Sequence, residues 1–274
     1  MDKKRTLIVG GYGTVGSVVS EILARDERFL PVISGRNASK ARELAHKLQV
    51  EWRTIDINDE QSIVAALPNI DLIVNCFSGP FTHSPLRLPE LSAKYGINYL
   101  DVSGSHEYTE RFLKLNGLAL KNNVALVTAL GANPGIPGIA LMSAKDDFDE
   151  MESGRIVFVL GAELEGISIP ALKEMKHMFD VKPLMWKQSE WIKPKKTGKK
   201  EYVGKPFEKE VYLGSFLTAD LLAIPKLTGI DELSSWSGSQ SMSQGLVMLV
   251  GLKLGLTQSQ WGAQLLLNVM KQMG

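Results

Sequence analysis

The chain has 274 residues, 44% of them hydrophobic and 22% charged, with a formal net charge of +1. That length can bury two sizeable cores, and a charge so close to zero argues against a nucleic-acid partner or any other polyanion. Cys76 is the single cysteine, so no internal disulfide can form. The apolar runs at Thr6 to Val9 and Gly245 to Leu256 are too short for a secretory signal or a membrane span, so a cytoplasmic protein without a membrane partner is expected.

In chain order, Thr6 to Val9 is a continuous apolar run, the pattern of a strand buried on both faces. Val15, Val18, Val19, Ile22 and Leu23 follow the i, i+3, i+4, i+7, i+8 spacing of a helix stripe facing a core. Strand two is expected over Phe29 to Ser34, and a second helix on Ala41, Leu44, Ala45 and Leu48. Trp52 to Ile57 reads as strand three. Asn58 with Gln61 resembles a capping box, opening a short helix that stops at Pro68. Strand four spans Asp71 to Cys76, a helix ends at Gly96, and strand five spans Ile97 to Val102. Helical periodicity from His106 to Asn122 and a strand from Val124 to Ala129 complete the run. Strands separated by crossovers of this length predict an α/β fold with a doubly wound parallel sheet.

The second half is patterned more coarsely. Arg155 to Leu160 is a strand, Ile169 to Phe179 a helix after Pro170, and residues 186 to 218 alternate as antiparallel hairpins do. The lysine-rich stretch Lys187 to Lys209 reads as the solvated side of such a hairpin. Thr257 with Gln260 resembles a capping box for a last helix ending near Gly274.

The chemistry concentrates where strands end. Gly10-Gly11-Tyr12-Gly13-Thr14-Val15-Gly16 lies between strand one and helix one. Gly11, Gly13 and Gly16 fit the dinucleotide fingerprint, and Gly10, Gly13 and Gly16 fit its variant with one more residue. Such a loop turns tightly, admits a pyrophosphate against the backbone and aims a helix N-terminus at it. At the end of strand two, where an NAD protein places Asp or Glu for the ribose hydroxyl, the chain reads Ser34-Gly35-Arg36-Asn37, with Ser39 and Lys40 next. Arg36 can fork onto a 2′-phosphate while Asn37, Ser39 and Lys40 add donors, so NADP is expected over NAD. Asp56 and Ile57 are placed to flank the adenine. Asn75-Cys76-Phe77-Ser78-Gly79-Pro80 leaves strand four at the topological switch point, beside the expected nicotinamide, with Cys76 as a small strand-end residue and not a nucleophile. No metal site is expected.

GGYGTVG, SGRNASKARELA, NCFSGPF, YLDVSG and the turn Gly131 to Gly138, in this order, resemble the saccharopine dehydrogenase-like family and its NADP-binding domain. Trp186 to Trp191 and Glu201 to Val203 resemble it more loosely. The resemblance implies a Rossmann domain at 1–132 and a second, mixed α/β domain at 133–274 for substrate binding and homodimer contacts, with C-terminal helices returning to the first domain. It also implies an oxidoreductase transferring hydride at a C–N centre, amine or imine, of a small-molecule metabolite. Proton-donor candidates near the strand ends are His83, Asp101 and His106, the last two on one loop where they can pair. No arginine follows Arg155, which points to a substrate less acidic than saccharopine. The alternative is a non-catalytic NADP-binding interaction or assembly protein. A short-chain reductase needs Tyr-x-x-x-Lys, and no tyrosine here is followed by lysine at that spacing.

Overall fold

A computed structural model describes residues 2–77, 86–160, 172, 182–205, 207–239 and 241–272. The chain divides into two units, Met1–Gly131 and Ala132–Gly274.

The first unit is a parallel six-stranded sheet in the order β3-β2-β1-β4-β5-β6. Its elements are β1 (Lys4–Val9), α1 (Thr14–Arg25), β2 (Phe29–Gly35), α2 (Ala38–Leu48), β3 (Glu51–Thr54), α3 (Glu60–Ala66), β4 (Leu72–Asn75), α4 (Arg87–Lys94), β5 (Asn98–Asp101), α5 (His106–Leu113), α6 (Asn116–Lys121) and β6 (Leu126–Val127). The order reverses between β1 and β4, the switch point of a doubly wound sheet. Alternation along the strands divides the core. Leu7, Val9, Val32, Ile73 and Tyr99 meet Ile63, Leu88, Leu91, Tyr108 and Phe112 from α3, α4 and α5 on one face. Ile8 and Val74 pack with Val19 and Leu23 of α1, and Ile33 with Ala41 and Ala45 of α2, on the other. The register pairs Val9 with Ser34 and with Asn75, and Asn75 with Asp101. One row across the sheet therefore ends at the glycine loop, Gly35, Cys76 and Val102 together.

Several local expectations are corrected. Val15, Val18 and Ile22 are 47%, 55% and 60% exposed, so only Val19 and Leu23 of the expected stripe reach the core. The small residues Gly16 and Ser20 make the close contact instead: a Cβ on Gly16 would stand 2.1 Å from Gly10 O, and Ser20 Oγ donates to Gly11 O at 3.0 Å. That approach turns the valine side outward. The N-cap of α3 is Asp59, whose carboxylate accepts from Gln61 N, because Asn58 is drawn to Asp56 Oδ1. The helical stretch from His106 breaks into α5 and α6.

The second unit contains α7 (Ile136–Ala144), β7 (Ser153–Leu160), β8 (Met185–Lys187), β9 (Glu190–Ile192), β10 (Gly198–Glu201), β11 (Val211–Ser215), α8 (Ile224–Thr228), β12 (Glu232–Ser239), α9 (Met242–Lys253) and α10 (Gln260–Gln272). Its sheet runs β10-β11-β12-β8-β9 with β7 parallel to β12, a mixed sheet whose other pairs are antiparallel. Gln188 and Ser189 both take positive φ, 53° and 62°, closing the β8–β9 hairpin in two residues. Trp186 and Trp191 face each other across that hairpin, edge to face at 5.5 Å. Leu141, Leu217, Leu221, Ile224, Ile230 and Leu233 form the core, and Met248 and Leu252 of α9 pack with Leu266 and Met270 of α10. Ser259, not Thr257, caps the last helix by accepting from Gly262 N at 3.0 Å; Thr257 is taken up by a short 3-10 turn, Leu256–Gln258. The expected helix over Ile169 to Phe179 lies outside the described residues, Leu172 excepted. Among the described residues no helix is long and apolar enough to cross a membrane.

Candidate cofactor site

The glycine loop is shaped by packing that side chains cannot enter. Gly10 has φ +73°, and a Cβ there would stand 3.3 Å from the backbone of Phe77. Gly13 is the N-cap of α1 and brings no side-chain cap, so the first-turn N–H groups are left for an outside acceptor. Thr14 and Val15 are exposed on that turn. This cradle fits a pyrophosphate: backbone donors, a helix N-terminus and no Cβ in the way.

A cleft of about 210 Å³ opens beside the loop, lined by Gly10, Tyr12, Gly13, Gly35, Arg36, Ile57, Cys76 and Phe77 together with Val9, Ile55 and Asn58. Strand ends and βα loops supply every one of these residues, as an open α/β sheet requires of its ligand crevice. Arg36 and Lys40 are exposed after β2. Asn37 Oδ1 accepts from Lys40 N at 3.0 Å and thereby caps α2, which gives Asn37 a structural task beside the one expected. Ser34 differs from expectation outright. It is fully buried, and its Oγ donates to Ile8 O at 2.9 Å, tying β2 to β1 and taking the hydroxyl away from the cleft. Asp56 Oδ1 accepts from Asn58 N and Nδ2 at 3.0 and 3.2 Å, and Asp56 is not part of the lining. Cys76 is buried, and burial pushes its thiol up to about 11, so it stays protonated near neutrality.

Beside the cleft, Asp101 at the end of β5 gathers four donors. Its Oδ1 accepts from Ser103 N at 3.1 Å and Thr128 Oγ1 at 2.7 Å; its Oδ2 accepts from Tyr99 Oη at 3.0 Å and Tyr108 Oη at 2.9 Å. Asn75 Nδ2 in turn donates to Tyr99 Oη at 3.0 Å, and Asn75 Oδ1 accepts from Phe77 N at 3.2 Å. Burial raises the Asp101 carboxyl above its ordinary value, against the lowering pull of these bonds. The expected Asp101–His106 pair is therefore not formed: the carboxylate is fully enclosed and serves as a brace joining the ends of β4, β5 and β6 to α5. His106 is half-buried at the first position of α5. His83, Ser78 and Gly79 lie outside the described residues. Sequence reasoning placed Asn75 at the switch point and passed over Tyr99, Tyr108 and Thr128. The available signal was period two, which puts residues 99 and 101 on one face of β5.

Sheet order, switch point and glycine cradle define a Rossmann nucleotide-binding domain joined to a mixed-sheet domain. A family model described as Saccharopine dehydrogenase NADP binding domain matches residues 6–129. The match takes in nearly all of the first unit and supports NADP as its nucleotide. A curated relative, glutamyl-tRNA reductase of Methanosphaera stadtmanae, is 27% identical over 219 residues, which cover 73% of this chain and 53% of the relative. The solved structure of apo histidine-tagged saccharopine dehydrogenase (L-Glu forming) from Saccharomyces cerevisiae aligns with a TM-score of 0.63 at 15% identity, over 94% of this chain and 59% of that one. The shared fold is thus saccharopine dehydrogenase-like, and the chain spans little more than half the length of either protein.

Proposed function

We propose that the chain is an NADP-dependent oxidoreductase that transfers hydride at a C–N centre of a small metabolite. The observation that carries the reading is the cleft itself: the glycine cradle and Arg36 line one pocket, and no carboxylate stands at the end of β2. Gly10 to Gly16 would hold the pyrophosphate, Arg36 and Lys40 the 2′-phosphate, and Ile57 the adenine. Bound there, the nucleotide supplies hydride chemistry. Cys76 and Phe77 would wall the nicotinamide side, with Asn75 fixing the Phe77 amide from beneath. Asp101, held by four donors, fixes the strand ends in place. The proton donor is then sought in His106, at the mouth of α5, and in His83.

The second unit bears on the substrate. Its one arginine, Arg155, is engaged by Glu201 through paired bonds of 2.6 and 2.9 Å, so it presents no free fork to a carboxylate. This supports a substrate less acidic than saccharopine. The same unit is the proposed seat of homodimer contacts, which sedimentation of the full chain reads directly.

Calorimetric titration tests the nucleotide assignment. NADPH should bind more tightly than NADH by about 2 kcal/mol, within the range for a charge-assisted contact, and Arg36→Asp should reverse the order. Equal affinities in the unaltered chain would remove the basis of the reading. A panel of amines and oxo acids, followed by absorbance of the reduced nicotinamide, then separates an oxidoreductase from a protein that merely retains its nucleotide.

A further inference from the structure

Tyr12 stands in the middle of the glycine loop, and its side chain reaches across to the turn after β2. The ring lies on Gly35, where an added Cβ would come within 2.6–2.8 Å of Cε1, Oη and Cζ. It also packs against the cluster of Ile33, Ala41 and Ala45 beneath α2. Its hydroxyl accepts from Asn37 N at 2.9 Å. Asn37 is in turn the cap that starts α2. One side chain of the first βα loop thus grips the second βα turn at two successive points, the Gly35 Cα and the Asn37 amide. Between those points sits Arg36, exposed and lining the same cleft.

We propose that Tyr12 is a positioning residue for nucleotide selectivity: its ring and hydroxyl hold the turn from Gly35 to Lys40 so that Arg36 and Lys40 meet the 2′-phosphate. The proposal rests on the reading above, in which Arg36 receives that phosphate. A guanidinium on an exposed turn must be ordered before it can fork onto an anion, and that ordering costs conformational entropy on binding. An anchor that orders the turn beforehand removes part of that cost, and removes it only for a nucleotide that uses the turn. Gly35 is required by the same contact. With any Cβ there the ring would have to move, and the Asn37 bond with it.

The test measures NADPH and NADH affinities of the full chain by calorimetry, for the unaltered protein, Tyr12→Phe, Arg36→Ala and the double variant. Tyr12→Phe keeps the ring and deletes one hydrogen bond, so the NADPH-to-NADH affinity ratio should fall about three- to tenfold. Arg36→Ala should lower the ratio further, and on that background Tyr12→Phe should lower it no more. Gly35→Ala, which displaces the ring by another route, should move the ratio in the same direction. An unchanged ratio in Tyr12→Phe, or an equal loss for both nucleotides, overturns the positioning role while leaving the Arg36 assignment standing. A fall of the same size with and without Arg36 also overturns it, since the tyrosine would then act elsewhere. If Arg36→Ala leaves the ratio untouched, the underlying nucleotide reading fails and this proposal falls with it.

Discussion

Each unit of the molecule has a carboxylate that gathers several donors, and the two behave in opposite ways. Asp101 in the first unit is enclosed and bonded to two phenols, a hydroxyl and an amide, all neutral; its carboxyl is raised. Glu201 in the second is one-third exposed, at 33%, and bonded to cations, Arg155 and, at 2.7 Å, Lys199; its carboxyl is lowered to about 2. Coordination number does not explain the contrast. Desolvation penalises the ionised form of Asp101 more than neutral donors favour it, whereas at Glu201 hydrogen bonds from charged partners act with little desolvation against them. Burial also decides what each group is for. The Asp101 shell fixes strand ends beside a cleft, while the Glu201 cluster trims an exposed sheet face, with Lys199 lying 4.4 Å over the Trp236 ring.

The largest effect expected from this contrast is at Asp101. Asp101→Ala strands the hydroxyls of Tyr99, Tyr108 and Thr128 and the Ser103 amide in a dry interior. Unsatisfied buried donors cost about 1–3 kcal/mol each, partly relieved by repacking, so a loss of about 3–5 kcal/mol is expected. Chemical denaturation followed by a signal from the first unit checks it. A loss below about 1 kcal/mol would put Asp101 in the same energetic class as an exposed pair and erase the comparison.

The next effect is a slope rather than a level. A carboxyl raised in the folded state contributes stability that is complete below its unfolded value, 3.8, and is lost as pH climbs through the higher folded value. Asp101→Asn removes that titration. The stability difference between the unaltered chain and Asp101→Asn should therefore shrink from about pH 4 to about pH 8. Thermal melts across that range read it, and a difference that grows with pH would mean the carboxylate is stabilised as an anion.

What could be read from the sequence divides along the same lines. The parallel sheet was legible because strands buried on both faces read as unbroken apolar runs, as in Thr6 to Val9, and because the glycine loop fixes where β1 ends. The stripe of α1 misled because apolarity shows which residues are able to pack, not which do. Gly16 and Ser20 decide the contact through size, which periodicity does not weigh. Ser34 was misread for a related reason: a hydroxyl at a strand end looks available until register places it over Ile8 O. The Asp101 shell was hidden because its members come from β5, α5 and the segment after β6, brought together only by tertiary structure. In the second unit the hairpin at Gln188 and Ser189 was foreseeable as alternation, although its turn uses positive φ at residues that seldom adopt it. The parallel pairing of β7 with β12 joins segments about 80 residues apart, and no local pattern announces it.

The smallest effect should be at Glu201, and its smallness is what gives the comparison force. Glu201→Gln keeps the shape and one acceptor oxygen and removes only the charge, on a face where water can replace lost partners. The lowered carboxyl means that this cluster stabilises the fold above the ordinary value of 4.5 and ceases to do so as pH falls toward about 2. At neutral pH the variant should melt only slightly below the unaltered chain. The gap should narrow in concentrated salt, because exposed ion pairs are screened, and it should close in acid, where the unaltered glutamate is itself protonated. The sign is opposite to that at Asp101, whose substitution matters more in acid than near neutrality. Melting curves of both variants at low and high salt make the contrast directly measurable. A large, salt-independent loss in Glu201→Gln would show that the second unit relies on its carboxylate as the first relies on Asp101, and that exposure is no guide to the weight a charged cluster carries in this fold.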